Sequence, residues 1–379
     1  MDSYETLLSV PPHSINQIEK NKLFKKALFE NFLHHYTNCL PYQKLCIKRG
    51  WNKGHKTDFN LEEFPYLPVE IFKDMHLTSV SNENLVRTLQ SSATSGQIPS
   101  TVSLDNATRN RQMKTLIWLL ANRLGKDRRP FLVMDVDPKN IKATQHKISA
   151  RAAAVRGFLT AASSVSYCMH ETLDGEIEIN LQQLLNALEE AQNSGKKVVI
   201  FGYTYVLYIY AAKKLSEKDV KFNLSNATLL HLGGWKKLQS QAVSKESFNK
   251  LMNNVFGIKT KNIIDCYGFT EQLGVLYLDG EDGIKRTSMV SEVIVRNPVT
   301  LQPCMDGEEG LLEFLTPLPL SYPGSAILTD DVGRIISREK GNDGRQGTAF
   351  EILGRRKKSE IRGCGDILSQ SMKTIGKKL

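Results

Sequence analysis

The 379-residue chain lacks several things, and each absence narrows what it can be. No stretch of about 18 consecutive apolar residues occurs, so no membrane-spanning helix is expected. The opening Met1-Asp2-Ser3-Tyr4-Glu5 has none of the basic-then-apolar pattern of a secretory signal, which points by default to the cytoplasm. The six cysteines, Cys39, Cys46, Cys168, Cys266, Cys304 and Cys364, include no Cys-x-x-Cys pair and match no zinc spacing. In a reducing compartment they read as mostly buried thiols, and a reactive role for any one needs its own argument. There is no Gly-x-x-x-x-Gly-Lys-[Ser/Thr] loop, so the most common phosphate cradle is missing. No repeat or low-complexity tract is present. The net charge of +10 comes without a zinc-finger, RRM or other nucleic-acid signature, so nucleic acid is not expected as a partner. The charge reads as a solvated basic surface or as attraction to a nucleotide, an acidic carrier protein or a membrane face.

What is present is ordinary globular material, 41% hydrophobic, long enough for one large or two medium domains. Phe24, Leu28, Phe32 and Tyr36 recur at helical spacing, and Pro41 is expected to stop that helix. From about Asn106 helix and strand alternate. Met113, Leu116, Ile117, Leu120 and Leu124 form a helix face closed by Gly125, and Phe131–Met134 reads as a buried strand. Ala150–Ala161 reads as helix, Ser164–Met169 as strand, Leu181–Leu188 as helix, Val198–Phe201 as strand and Tyr205–Leu215 as helix. Thr228–Leu232 is then a strand, Ser244–Phe256 a helix and Asn262–Asp265 a strand. Such alternation predicts a parallel sheet covered by helices. After Val275 the helices give way to short strands at Val275–Leu278, Glu292–Arg296, Leu311–Leu315, Ala326–Leu328 and Phe350–Leu353, a β-rich subdomain.

Ligands of α/β sheets bind beyond the carboxyl ends of strands, so the loops there matter most. Ser91-Ser92-Ala93-Thr94-Ser95-Gly96 is dense in hydroxyls and can face a phosphate, or it is simply a loop. Gly233-Gly234-Trp235-Lys236 allows close backbone approach to a flat ligand, or is a tight turn. Tyr267-Gly268-Phe269-Thr270-Glu271 brings together a ring, a glycine, a hydroxyl and a carboxylate able to hold Mg²⁺; the plain alternative is a hairpin turn with a surface glutamate. Thr329-Asp330-Asp331 can accept ribose hydroxyls or form an Asx turn. Gly354-Arg355 opens a strongly basic tail.

In this order, these segments resemble the adenylate-forming superfamily of acyl-CoA synthetases, firefly-type luciferases and peptide-synthetase adenylation domains. Gly233–Lys236, Ser321-Tyr322-Pro323, Thr329–Gly333, Ile336–Glu339 and Gly363-Cys364 resemble, more narrowly, the acyl-protein synthetases of bacterial luminescence. The resemblance runs from about Ser91 to Gly363. It implies an α/β fold with a stacked parallel-sheet core of the adenylate-forming type, a β-rich subdomain, and a C-terminal lid that is absent or very short. The corresponding division is residues 1–90 as a helical and loop region packing on the core, 91–274 as the nucleotide-binding core, 275–354 as the β-rich subdomain and 355–379 as a hinge-like basic tail.

The resemblance further implies a ligase using ATP and Mg²⁺ to activate a carboxylic acid, a long-chain fatty acid, as an acyl-adenylate and pass it to a thiol. Ser91, Ser92, Thr94, Ser95 and Gly96 would cradle phosphates. Gly233, Gly234 and Trp235 would lie by the adenine, and Tyr267 and Gly268 would stack on it and approach it. Thr270 would contact the α-phosphate, Glu271 would hold Mg²⁺, and Asp331 with Arg355 would bind the ribose. Cys364 would carry the acyl group as a thioester before a partner, such as an acyl-protein reductase or carrier, receives it. Cys266 reads instead as strand-end packing, and the acid's pocket falls near Gly202, Tyr203 and Trp235. Two departures stand out. Ala93 replaces the usual glycine, with Ser95 where threonine is frequent, and no residue matches the lid lysine, for which Lys373, Lys377 and Lys378 are candidates by position only. Two alternatives stay open: a CoA-ligase-like or amide- or ester-forming enzyme for a smaller acid, and a non-catalytic nucleotide- or acyl-binding subunit.

Overall fold

Asn16 begins the long N-terminal helix, Gln17–Asn38, by accepting a hydrogen bond from the Glu19 amide on its side chain. Phe24, Leu28, Phe32 and Tyr36 form its buried face. Pro41 does not stop this helix, which has already ended at Asn38. The proline lies in the first turn of the next one, Leu40–Lys48, where its missing N–H has no partner to lose. The computed structural model describes residues 2–55, 57–91, 98–137, 155–172 and 177–356.

Fifteen strands are described in chain order: β1 (Leu67–Pro68), β2 (Leu85–Gln90), β3 (Thr101–Asp105), β4 (Arg129–Val136), β5 (Ala162–Glu171), β6 (Ile177–Ile179), β7 (Val199–Tyr203), β8 (Thr228–Leu232), β9 (Ile263–Tyr267), β10 (Tyr277–Leu278), β11 (Lys285–Arg286), β12 (Glu292–Arg296), β13 (Gly310–Leu315), β14 (Ala326–Ser337) and β15 (Ala349–Arg355). One sheet runs β10-β9-β8-β7-β4-β5-β6. Its centre, β9 through β5, is parallel as the strand–helix alternation requires, whereas its edges β10 and β6 pair antiparallel. Every residue of β7 is buried, because helices cover both faces. One face packs on helices Leu181–Ser194 and Lys245–Phe256 through Leu184, Leu188, Met252 and Phe256. The other packs on helix Asn106–Leu124 through Leu116, Leu120 and Leu124, with Val155 and Phe158 beside them. Of the helix expected at Ala150–Ala161, residues 155–158 are helical and Leu159–Ala161 form a 3₁₀ turn.

The second sheet, β11-β15-β14-β13-β12, is antiparallel, with β1 added in parallel to β14. The parallel arrangement therefore holds for the first sheet alone. Helix Gln17–Asn38 packs on this second sheet. Lys20 is buried there, its Nζ 2.9 Å from Glu292 and donating to Thr287 (3.0 Å) and the Ser291 carbonyl (2.7 Å). Burial pulls the Lys20 ammonium below its ordinary value, and the Glu292 carboxylate opposes that shift. The helix expected at Tyr205–Leu215 is present, but Val206–Lys213 is wound as a π-helix, a form concentrated at functional sites.

Candidate functional site

The carboxyl ends of β7, β8 and β9 are adjacent, and the second sheet closes on them from one side. Tyr267 ends β9. Its ring packs near Phe314 (5.4 Å between centroids), Tyr277 (6.1 Å) and Phe269 (6.2 Å). Its hydroxyl donates to Asp331 Oδ2 at 2.6 Å. Burial, with the Asp331 carboxylate beside it, pushes the phenol well above its ordinary value, so it stays a donor. Gly268 follows where a Cβ would come 3.1 Å from Leu276 Cδ2 and 3.2 Å from the Val275 carbonyl, so a larger residue requires those neighbours to give by a few tenths of an ångström.

Thr270–Gln272 form a 3₁₀ turn locked onto the second sheet. Gln272 Nε2 donates to the carbonyls of Phe314 (3.0 Å) and Gly324 (2.9 Å), and the Tyr322 hydroxyl donates to the Glu271 carbonyl (2.8 Å). Glu271 is consequently 4% exposed, which rules out a surface glutamate on a hairpin turn. Burial pushes its carboxyl up from the ordinary value, against a hydrogen bond from Ser100 and the charges of Lys73 and Arg355. Thr270 stands half-buried beside it.

Asp331 lies inside β14, not in an Asx turn, and Arg355 lies opposite it on β15. Arg355 Nε donates to Asp331 Oδ1 at 3.2 Å. Each oxygen of this carboxylate therefore accepts one donor and keeps one lone pair for another. The Thr329 hydroxyl holds the strand from below, donating to the Leu312 carbonyl at 2.8 Å and accepting from the Asp331 amide at 3.2 Å.

Gly233 and Gly234 follow β8, whose Leu232 lies opposite Cys266 of β9, so the glycine turn and Tyr267 leave neighbouring strands. Gly233 has φ of +74°, a conformation side chains rarely adopt, with the Tyr203 ring 3.3 Å from where a Cβ would stand. A Cβ on Gly234 would meet no described atom within 4 Å, which leaves this backbone open to a flat partner. Trp235 is buried instead of lining that opening. Its ring lies edge-on to Tyr208 at 5.3 Å, and Tyr208 stacks on Phe248 at 6.0 Å. Tyr203 and Tyr205 lie alongside this aromatic group at the start of the π-helix, their ring centroids 6.4 Å apart.

Ser91 closes the β2–β3 hairpin: its amide donates to the Ser100 carbonyl and its hydroxyl accepts from the Ser100 amide, both at 2.9 Å. Because the Ser100 side chain bonds Glu271, the base of the hydroxyl-rich loop joins the Thr270–Glu271 turn. Ser92, Thr94, Ser95, Gly96 and Cys364 lie outside the described residues. Cys39, Cys46, Cys168 and Cys266 are buried, and burial pushes the Cys266 thiol well up, in keeping with packing and not reactivity.

Sequence reasoning missed Glu70 and Lys73. Glu70 and Lys73 reach the site because β1 pairs with Ile327 and Leu328, just before Asp330. Nothing local in the sequence marks that pairing. Burial, and a hydrogen bond shared with Asp330, raise the Glu70 carboxyl to about 7. A carboxyl held above its ordinary 4.5 binds its proton more tightly folded than unfolded. The stability this contributes is full below about pH 4.5 and is lost as pH rises through about 7. Glu70→Gln should flatten that fall in melting temperature between about pH 5 and pH 8, and an unchanged profile would remove Glu70 as its source.

Among the described residues no cluster of three or more His, Cys, Asp or Glu side chains could hold a metal by itself, and no helix is long and apolar enough to cross a membrane. The family model for acyl-protein synthetase, LuxE, matches residues 2–373. A long-chain-fatty-acid–luciferin-component ligase of Vibrio harveyi is 26% identical over 358 residues, covering 93% of this chain and 89% of the relative. Its counterpart in Aliivibrio fischeri is 24% identical over 350 residues, covering 91% and 88%. Among solved structures, 2-hydroxyisobutyryl-CoA ligase in an open conformation with 2-HIB-AMP and CoA superposes with a TM-score of 0.64 at 12% identity, over 90% of this chain and 71% of that one. The same enzyme in its postadenylation state gives 0.65 at 12% identity over 95% and 74%. These likenesses establish the fold of adenylate-forming ligases, and with a family model spanning nearly the whole sequence, the chain belongs to the acyl-protein synthetase family of ligases.

Proposed function

We propose that the chain uses ATP to activate a long-chain fatty acid as an acyl-adenylate and transfers the acyl group to Cys364 and then to a partner protein, such as a reductase or carrier. The observation that carries this reading is the joining of Tyr267, Asp331 and Arg355, from three strands of two sheets, around a carboxylate with lone pairs to spare. Two neighbouring ribose hydroxyls match those lone pairs. The Tyr267 ring and the open Gly233–Gly234 backbone then flank the purine. Ser92, Thr94, Ser95 and Gly96, next in sequence after Ser91, are assigned the phosphates.

Glu271 suits Mg²⁺, which is held by one or two carboxylates and by substrate phosphates in place of an all-protein cage. The ion would neutralise charge on the phosphates as it develops. The fatty acid's carboxylate oxygen attacks the α-phosphorus, and a P–O bond forms as the bond to the β-phosphate oxygen breaks and pyrophosphate leaves. Thr270 would contact the α-phosphate, where the added negative charge falls. The Cys364 thiolate then attacks the acyl carbonyl carbon, the C–O bond to phosphate breaks, and AMP departs.

The test is acid-dependent exchange of pyrophosphate into ATP across acids of increasing length, with and without CoA. The expected result is exchange that rises with chain length and does not need CoA. Exchange confined to short acids, with AMP release requiring CoA, would make the chain a CoA ligase. ATP binding without exchange for any acid would make it a binding subunit.

A further inference from the structure

Beside the glycine turn lies a buried polar pair that the reading above leaves unused. Thr204 directly follows β7, and His231 is the fourth residue of β8; they are 8% and 5% exposed. Thr204 Oγ1 is 2.6 Å from the Gly233 carbonyl oxygen, 3.4 Å from that of Leu232 and 2.9 Å from His231 Nδ1. A hydroxyl has one proton to give. The nearest acceptor is the Gly233 carbonyl, so the ring nitrogen must be the donor to Thr204.

Three surroundings agree with an Nδ1–H imidazole. Asp265 Oδ1 stands 3.7 Å from the same nitrogen and favours a proton there. Nε2 is buried with no hydrogen-bond partner among the described residues, and the ring lies 4.4 Å from that of Phe248. Burial holds the imidazole below its ordinary value and so neutral, with Asp265 and Asp279 opposing and Lys285 and Lys245 assisting. The Asp265 carboxylate is itself tied down, its other oxygen 2.7 Å from Lys285 Nζ, which also holds Asp279 at 2.9 Å.

We propose that His231 and Thr204 are positioning residues for nucleotide binding: a relay from His231 Nδ1–H to the Thr204 hydroxyl to the Gly233 carbonyl sets the glycine turn in its nucleotide-accepting form. The inference rests on the proposed placing of ATP beside Gly233–Gly234. The turn has a left-handed residue followed by a glycine with free space around it, so without an anchor its backbone would sample several conformations. Fixing the carbonyl of Gly233 fixes the peptide plane shared with Gly234, the face offered to the ligand. Ordering that plane in advance removes a cost from binding.

The experiment measures ATP binding by calorimetry and KM for ATP and for the acid in the exchange assay, for wild type, Thr204→Val, Thr204→Ser, His231→Leu and His231→Asn. Losing one buried hydrogen bond should raise KM and Kd for ATP about five- to tenfold in Thr204→Val and His231→Leu. KM for the acid and kcat should stay within about twofold, because the relay acts on nucleotide binding and not on the reacting carboxylate. Thr204→Ser, which keeps the hydroxyl, should restore the wild-type KM, and His231→Asn, which keeps an N–H near Nδ1, should restore most of it. An unchanged ATP affinity in Thr204→Val, or no rescue by Thr204→Ser, overturns the inference while leaving the adenylating function intact. A wild-type protein that binds no ATP overturns both. Should Thr204→Val not fold, Thr204→Ala against Thr204→Ser makes the same comparison.

Discussion

Cys364→Ser is expected to abolish covalent labelling by radioactive fatty acid while leaving acid-dependent pyrophosphate exchange within about twofold of wild type, because the two readouts report different steps. Exchange needs only the adenylation half, whose proposed residues lie on or beside β2–β3, β8, β9, β14 and β15. Labelling needs a nucleophile that outlasts AMP release. A thiol serves where a hydroxyl does not: at neutral pH a few per cent of a free thiol is already thiolate, whereas a serine needs a dedicated base. The sequence around Cys364 favours the thiolate further, with Arg355, Arg356, Lys357, Lys358 and Arg362 close by. Flanking Gly363 and Gly365 place no side chains against an incoming acyl group. The labelled fraction should fall to background in gel fluorography after hydroxylamine-sensitive bands are scored. Persistent labelling in Cys364→Ser would move the acyl carrier to another residue. Loss of exchange along with labelling would mean that Cys364 acts in adenylation itself.

The second large effect belongs to Asp331. Asp331→Ala removes the acceptor of two bonds that the protein makes to itself, from Tyr267 and Arg355, and of two more proposed to the ribose. Charge-assisted hydrogen bonds contribute about 1.5–3 kcal/mol each, so losing both ribose contacts should raise KM for ATP by about 100-fold or more. The Tyr267 phenol would be left buried without its acceptor, which should also lower the melting temperature. The comparison that isolates the ribose is ATP against 2′,3′-dideoxy-ATP. Wild type should discriminate strongly between them, and Asp331→Ala should scarcely discriminate at all. If the variant still prefers the hydroxylated nucleotide by the wild-type factor, Asp331 does not contact the ribose.

Much of this site was visible before any coordinates because its parts follow strands. Tyr267 and Gly233 each come at or just after a run of buried apolar residues, and such runs are read from local periodicity. The same local reading misjudged Pro41, since a proline at a helix start and one beyond a helix end leave similar marks in sequence. It treated Asp331 and Gly354-Arg355 as loop residues, whereas both belong to paired strands. Polar residues near a sheet edge look like turn formers until their pairing partners are known.

The sequence by itself determined the strand–helix alternation after Asn106, the helix-covered parallel sheet at the centre, and the Tyr267–Glu271 segment at a strand end, because these follow from patterns a few residues long. Only the tertiary structure decided that Tyr267 meets Asp331, 64 residues away, and that Thr204 and His231, 27 apart, converge on the glycine turn. It likewise decided that β1 carries Glu70 and Lys73 to the edge of the site and that Glu271 is buried. These contacts depend on strand order, register and the packing of one sheet against another. Such relations are set by burying apolar faces across the whole chain, and no single segment encodes them.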